Sequence, residues 1–159
     1  MSRAFEIALH QGVRLTETDV WMSNVDLDSD PPAIYFDRTK SGRAFVAEMH
    51  PALVPLFRRL KAEGAERAVG FLPSASTYFG KLFRRLGLTG KSFHSTRVTV
   101  ASELARKGVP ISEAMSYINH SSQVIHCAYR RRHRYYPGYR SQRWFVVMIH
   151  CLRSRCALD

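Results

Sequence analysis

FHSTRVTVASELARKG, residues 93–108, opens with a histidine and an arginine three positions apart and then becomes an Ala-rich amphipathic run. Residues three apart on an α-helix share a face, so His94 and Arg97 are expected to project together from the first turn. Val98, Val100, Ala101, Leu104 and Ala105 mark the expected buried stripe, and Gly108 stops the helix. A helix start carries unpaired N–H groups and the positive end of the helix dipole. With an imidazole and a guanidinium beside it, such a start suits a phosphate. An isolated H-x-x-R is common and is most often solvated surface, so the neighbouring segments decide its meaning.

Working outward, AFEIALHQG (4–12) reads as a short helix closed by Gly12, and Arg14 follows. In T-E-T-D (16–19), Thr16 is expected to cap a new helix with Asp19 reaching back. SNVDLDSDPP (23–32) reads as a loop. AIYFDRTKSGRAFVAEM (33–49) alternates around Ser41-Gly42, the pattern of a β-hairpin with Lys40 at or beside its turn. Pro51 begins a helix through ALVPLFRRLKAEG (52–64), whose first turns Pro55 should disturb. ASTYFGKLFRRLG (75–87) is a further amphipathic helix ended by Gly87. Beyond the central helix, VPISEAMSYIN (109–119) and SSQVIHCAYRR (121–131) each predict a short helix. The expected fold class is mainly α with a small β-hairpin or sheet (α+β), which excludes a doubly wound sheet or a sandwich.

The chain has 159 residues, 45% of them hydrophobic, enough for one domain with a real core. Its net charge of +11 points to a polyanionic partner, although a generically basic surface has the same composition. No apolar run reaches the roughly 18 residues needed to cross a membrane, and MSRAFEIALHQG lacks the apolar centre of a signal peptide. Cys127, Cys151 and Cys156 form an odd set without framework spacing, which suits a reducing compartment. The expectation is a cytoplasmic, nucleoid-associated protein that meets nucleic acid.

From Arg130 the character changes, to RRRHRYYPGYRSQRW and then FVVMIHCLRSRCALD, basic and aromatic with a short apolar run. His150, Cys151 and Cys156 lack a fourth ligand and standard spacing, so no metal is expected there. Arg58, Arg59, Arg84 and Arg85 read as wet helix faces that can also touch a nucleic-acid backbone.

Arg14, Lys40, His94, Arg97, His120 and Tyr129 are polar residues that local structure does not explain. Two arginines, a lysine, two histidines and a tyrosine, with no carboxylate cluster, suit attack on a phosphodiester by a tyrosine. Guanidinium forks hold the non-bridging oxygens and stabilise the charge added in the pentacoordinate transition state. A histidine within reach can take the phenolic proton, and a lysine on a hairpin can protonate the leaving oxygen. The covalent intermediate conserves the bond energy, so strands can be rejoined without ATP. With arginines supplying the positive charge, neither metal nor other cofactor is needed. By composition alone Tyr135, Tyr136 and Tyr139 are rivals to Tyr129, and His126 lies one turn before it.

The segments GVRLTET, TKSG, HSTR, INHSS and IHCAYRR, in this order, resemble the catalytic domain of the tyrosine recombinases, the phage-integrase family of site-specific recombinases. The resemblance covers roughly residues 1–132 and implies the fold of that DNA breaking-rejoining domain, with 133–159 as a basic, aromatic tail. It implies catalytic roles for Arg14, Lys40, His94, Arg97 and His120, with Tyr129 as nucleophile, and DNA contacts from Arg14, Lys40, Arg43 and Arg97. It also implies double-stranded DNA as partner, a 3′-phosphotyrosyl intermediate, and a homotetramer on two DNA sites. Asn119 replaces the usual glycine before the histidine of INHSS, and Thr96 stands where leucine is common. Family members usually carry a helical core-binding domain ahead of the catalytic one. Here the chain starts almost on its first catalytic arginine, and a fragment or truncation is expected. The competing expectation is a catalytically silent DNA-binding or regulatory remnant, and a type IB topoisomerase-like enzyme would share the chemistry.

Overall fold

Ala4, Phe5, Ile7, Ala8 and Leu9 are all buried, so helix α1 (Ser2–Gln11) is enclosed around most of its circumference. A computed structural model describes residues 2–37, 42, 44–70, 74–120, 123 and 127. In it α1 is the central helix and faces two cores. Ile7 joins one cluster with strand and helix residues such as Ile34, Phe36, Leu56, Phe57 and Leu60. Ala4, Phe5, Ala8 and Leu9 join a second cluster with Phe79, Phe83 and Phe93. The Phe5 ring meets those of Phe83 and Phe93 edge-on, with centroids 6.3 and 6.2 Å away, a favourable aromatic geometry.

The first core rests on a three-stranded antiparallel sheet, β1 (Val25–Asp26), β2 (Ala33–Phe36) and β3 (Phe45–Glu48), in that order. A hairpin forms, as expected, and its register pairs Ala33 with Glu48, Ile34 with Ala47, Tyr35 with Val46 and Phe36 with Phe45. Ile34, Phe36 and Ala47 point into the core, while Tyr35 and Val46 are exposed on the other face. β1 corrects the reading of 23–32 as loop throughout, because Val25 and Asp26 pair with Ile34 and Ala33. Phe36 and Phe45 stack at 4.7 Å where the hairpin arms lead toward its turn.

Pro51–Leu53 forms a 3-10 turn and α2 (Val54–Ala62) follows, with Pro55 in its first turn, where a missing N–H costs nothing. The expected helix from Pro51 thus opens as a 3-10 turn, and regular α-helix begins only at Val54, beside Pro55. α3 (Ala75–Arg85), α4 (Ser95–Arg106) and α5 (Ile111–Tyr117) complete the described elements. α4 packs on α1 and α5. Its buried face differs from the expected stripe: Thr96, Arg97, Val100, Ala101 and Ser102 are buried, whereas Val98, Leu104 and Ala105 are only half-buried. Polar side chains have displaced part of the apolar stripe because Arg97 turns inward.

The segment after α1 also corrects an expectation. The helical turn is a short 3-10 stretch, Leu15–Glu17, and Glu17 rather than Asp19 reaches back to its start. Asp19 instead accepts from the Gly70 N–H at 2.8 Å and pairs with Arg67, whose guanidinium lies over the Trp21 ring. Among the described residues, no helix is long and apolar enough to cross a membrane.

Candidate active site

The most deeply buried cation of the described residues is Arg97, at 1% exposure. Taking a guanidinium out of water is costly unless its donors are satisfied. Here the Nε–H donates to His120 Nε2 at 3.0 Å, Nη1 to the Gly12 carbonyl at 2.7 Å and Nη2 to the Asn119 carbonyl at 3.1 Å. These three acceptors carry no formal charge, so they orient the fork without cancelling its positive charge.

Local chain geometry supplies each acceptor. Gly12 follows the last residue of α1 with φ +70°, the left-handed conformation that favours glycine. Its Cα lies so close to α4 and α5 that a Cβ would stand 2.7 Å from Ile118 Cγ2 and 3.1 Å from Val100 Cγ1. Asn119 follows α5 with φ +49°, a conformation asparagine tolerates better than most residues. That turn swings its carbonyl toward Arg97 and sets His120 behind it, with the His120 N–H donating to the Met115 carbonyl at 2.8 Å. The asparagine thus fills the place of the usual glycine.

His120 is itself buried. Its Nε2 accepts from Arg97, which assigns the proton of the neutral ring to Nδ1. His94 immediately precedes α4 and is exposed, one turn before Arg97 on the same helix.

Arg14 lies two residues beyond Gly12. Its guanidinium Nη1 donates to Glu17 Oε1 at 2.7 Å, and its backbone N–H donates to Glu17 Oε2 at 2.7 Å. The Glu17 side chain has no exposed surface, so one carboxylate fixes both the main chain and the side chain of Arg14. Glu17 is a residue the sequence reading passed over. Its signal was present in the R-x-x-E spacing, which is that of a capping box. The Gly12 and Asn119 carbonyls were invisible in a different way, since a motif read from side chains does not register main-chain acceptors.

Four of the six expected residues can therefore be placed. Arg97 and His120 are in direct contact, and the Gly12 carbonyl brings the Arg14 segment to the same point. His94 opens the helix that carries Arg97. Lys40, Arg43 and Tyr129 lie outside the described residues, as do His126, His150, Cys151 and Cys156. Among the described residues, no group of three or more His, Cys, Asp or Glu side chains could hold a metal ion.

Behind the site, a cavity of about 710 Å³ runs between α1, the end of β3, α4 and α5, and its walls include Leu9, His10, His50, Val100, Leu104 and Tyr117. The His10 and His50 rings stack at 4.7 Å, and burial together with His50 lowers the His10 pKa to about 4. Burial, then nearby Lys107, lowers that of His50.

Solved structures with this fold include XerH site-specific recombinase bound to palindromic difH substrate in a post-cleavage complex, with 14% identity and a TM-score of 0.64. That match covers 80% of this chain and 41% of XerH. XerH in a pre-cleavage complex with difH matches with 14% identity and a TM-score of 0.63 over 79% of this chain and 41% of that one. XerA recombinase matches with 19% identity and a TM-score of 0.61 over 87% of this chain and 61% of that one. The chain thus spans less than two thirds of these recombinases. Among curated protein sequences none matches it. The sequence matches the phage integrase family across residues 2–134, more than half its length. This chain belongs to the phage integrase family.

Proposed function

We propose that this chain is the catalytic domain of a tyrosine-type site-specific DNA recombinase, cleaving and rejoining duplex DNA through a 3′-phosphotyrosyl intermediate. The observation that carries the reading is Arg97: a buried guanidinium, oriented by three neutral acceptors, in a chain of this family. Such a group is pre-organised for an oxyanion and needs little rearrangement as charge builds in the transition state.

In the proposed reaction the Tyr129 oxygen attacks the scissile phosphorus and the bond to the 5′-oxygen breaks. Arg97 and Arg14 hold the non-bridging oxygens, and the Nδ1–H of His120 donates to one of them. With His120 Nε2 engaged by Arg97, the phenolic proton is assigned to His94, whose exposure supports that role. Lys40 gives a proton to the departing 5′-oxygen, and Arg43 contacts the DNA backbone. Rejoining reverses these steps when a 5′-hydroxyl attacks the phosphotyrosine. No metal or cofactor enters the scheme.

The proposal extends to the whole molecule. Residues 1–132 form the catalytic unit and 133–159 a basic tail. The working assembly is a homotetramer on two double-stranded DNA sites, in the cytoplasm at the nucleoid. XerH was captured with difH before and after cleavage, which supports DNA as the partner.

The test is a suicide substrate, nicked so that the released 5′ end diffuses away, drawn from a pool of sequences flanking the native gene. The full chain should form a covalent protein–DNA adduct without added metal, and Tyr129→Phe should form none. An adduct that persists in Tyr129→Phe moves the nucleophile to another tyrosine. Salt-sensitive DNA binding with no adduct in either protein favours the silent DNA-binding remnant.

A further inference from the structure

We propose that Tyr117 is a positioning residue for Arg97, acting through a single hydrogen bond that sets the distance between the two chain segments gripping the guanidinium. The inference rests on the assignment of Arg97 to the scissile phosphate.

Two segments hold Arg97. The first is the end of α1, whose last carbonyls have no partner within the helix. The Gly12 carbonyl, just past it, takes the Arg97 Nη1 donor. The second is the end of α5, where the Asn119 carbonyl and His120 Nε2 take the Nη2 and Nε donors. The Tyr117 hydroxyl spans the gap between these segments and donates to the His10 carbonyl at 3.1 Å. His10 lies two residues before Gly12, and Tyr117 lies two residues before Asn119. The bond therefore ties the two jaws together just behind the carbonyls that do the gripping.

Apolar packing joins the same segments: Ile118, fully buried, lies against the Cα of Gly12. That apolar contact resists compression but has little directional preference. An O–H···O bond falls off steeply with angle, so it fixes how the jaws slide past each other. Tyr117 is suited to the task. Burial, reinforced by nearby Glu48, holds its hydroxyl well above the usual phenol range, so it stays a donor at any working pH. Its ring forms part of the wall of the cavity behind the site and keeps the hydroxyl aimed at the end of α1.

Removing the hydroxyl while keeping the ring should let the jaws drift and broaden the orientations of the guanidinium. The cost falls on the transition state more than on DNA affinity, because Arg97 is one contact among many to the backbone. Tyr117→Phe in the full chain is the test, beside Leu60→Val, a change in the core under the sheet that lowers stability at a residue outside both jaws. The first readout needs no DNA: solvent exchange of the Arg97 Nε–H, followed by 15N NMR. Loss of one hydrogen bond of ordinary strength should speed that exchange roughly tenfold in Tyr117→Phe and leave it unchanged in Leu60→Val. The second readout is adduct formation on the suicide substrate, expected to slow roughly tenfold at saturating DNA with the half-saturating concentration unchanged.

Unaltered Nε–H exchange in Tyr117→Phe overturns the proposal, as does an equal change in Leu60→Val, which would reduce Tyr117 to a stabilising residue. If the wild type forms no adduct, strand cleavage fails as the chain's function, and the exchange experiment still decides whether Tyr117 positions Arg97.

Discussion

The two arginines of the site are held by opposite means. Arg97 is gripped by neutral dipoles in the interior, whereas Arg14, with a side chain 31% exposed, is tied to the fully buried carboxylate of Glu17. A buried carboxylate is tolerated only when hydrogen-bonded, and Glu17 accepts from both the Arg14 guanidinium and the Arg14 N–H. Its negative charge makes those bonds charge-assisted and holds Arg14 in one rotamer. Glu17→Gln keeps the shape but replaces one acceptor oxygen with a donor that faces an N–H or a guanidinium. Losing a charge-assisted bond and leaving a mismatched group should cost about 1.5–3 kcal/mol of stability, read as a lower urea midpoint with an unchanged slope. Adduct formation should fall by at least roughly tenfold if Arg14 holds the phosphate as proposed, because a misdirected guanidinium no longer meets it. Wild-type stability in Glu17→Gln would show that the carboxylate does not hold the arginine.

At the scale of elements, the site is the place where the ends of α1 and α5 meet the start of α4, and Gly12 is the point of closest approach. Gly12→Ala faces two costs. The φ of +70° is unfavourable for alanine by about 1 kcal/mol, and the new methyl would stand 2.7 Å from Ile118 and 3.1 Å from Val100. Both neighbours are buried branched side chains with little room to give, and overpacking of this kind costs about 1–3 kcal/mol. Together these predict a loss of roughly 2–4 kcal/mol in urea unfolding, and a Gly12→Ala protein of undiminished stability would mean that α5 can step away from α1. The sequence was informative about elements with strong punctuation: α1 closed by Gly12, the hairpin of β2 and β3, and α4 stopped at Gly108. The hairpin's existence was legible in the sequence, its register was not, and the sequence misled where tertiary contact overrode local pattern. Val25–Asp26 is too short to announce itself as a strand and exists because β2 offers it partners. Leu104 and Ala105 fit the apolar period of α4, yet the helix turns Arg97 inward instead, because acceptors on α1 and α5 await it. Side-chain types at fixed spacing suggested Arg97 and His120 as neighbours. The main-chain carbonyls that complete the grip depend on how distant segments pack, which no local pattern encodes.

At the scale of the whole molecule, the charge of +11 outruns what the site needs. The last 27 residues, 133–159, carry Arg134, Arg140, Arg143, Arg153 and Arg155 against Asp159 alone, a net of 5 − 1 = +4, leaving 11 − 4 = +7 for the rest. If both parts neutralise phosphates, each such pairing releases a counterion, and the affinity for duplex DNA must fall as salt rises. Four pairings alone predict a drop of roughly 10²-fold between about 50 and 200 mM salt, and additional ones steepen it. Replacing Arg134, Arg140 and Arg143 together with glutamine should therefore lower the slope of log affinity against log salt, by up to about 0.9 for each phosphate the tail no longer neutralises. Titrating a random-sequence duplex with both proteins at several salt concentrations measures this directly. A shallower slope in the triple variant assigns backbone contacts to the tail. Identical slopes would place all the phosphate contacts on residues 1–132, and the positive charge of the tail would then serve something other than DNA.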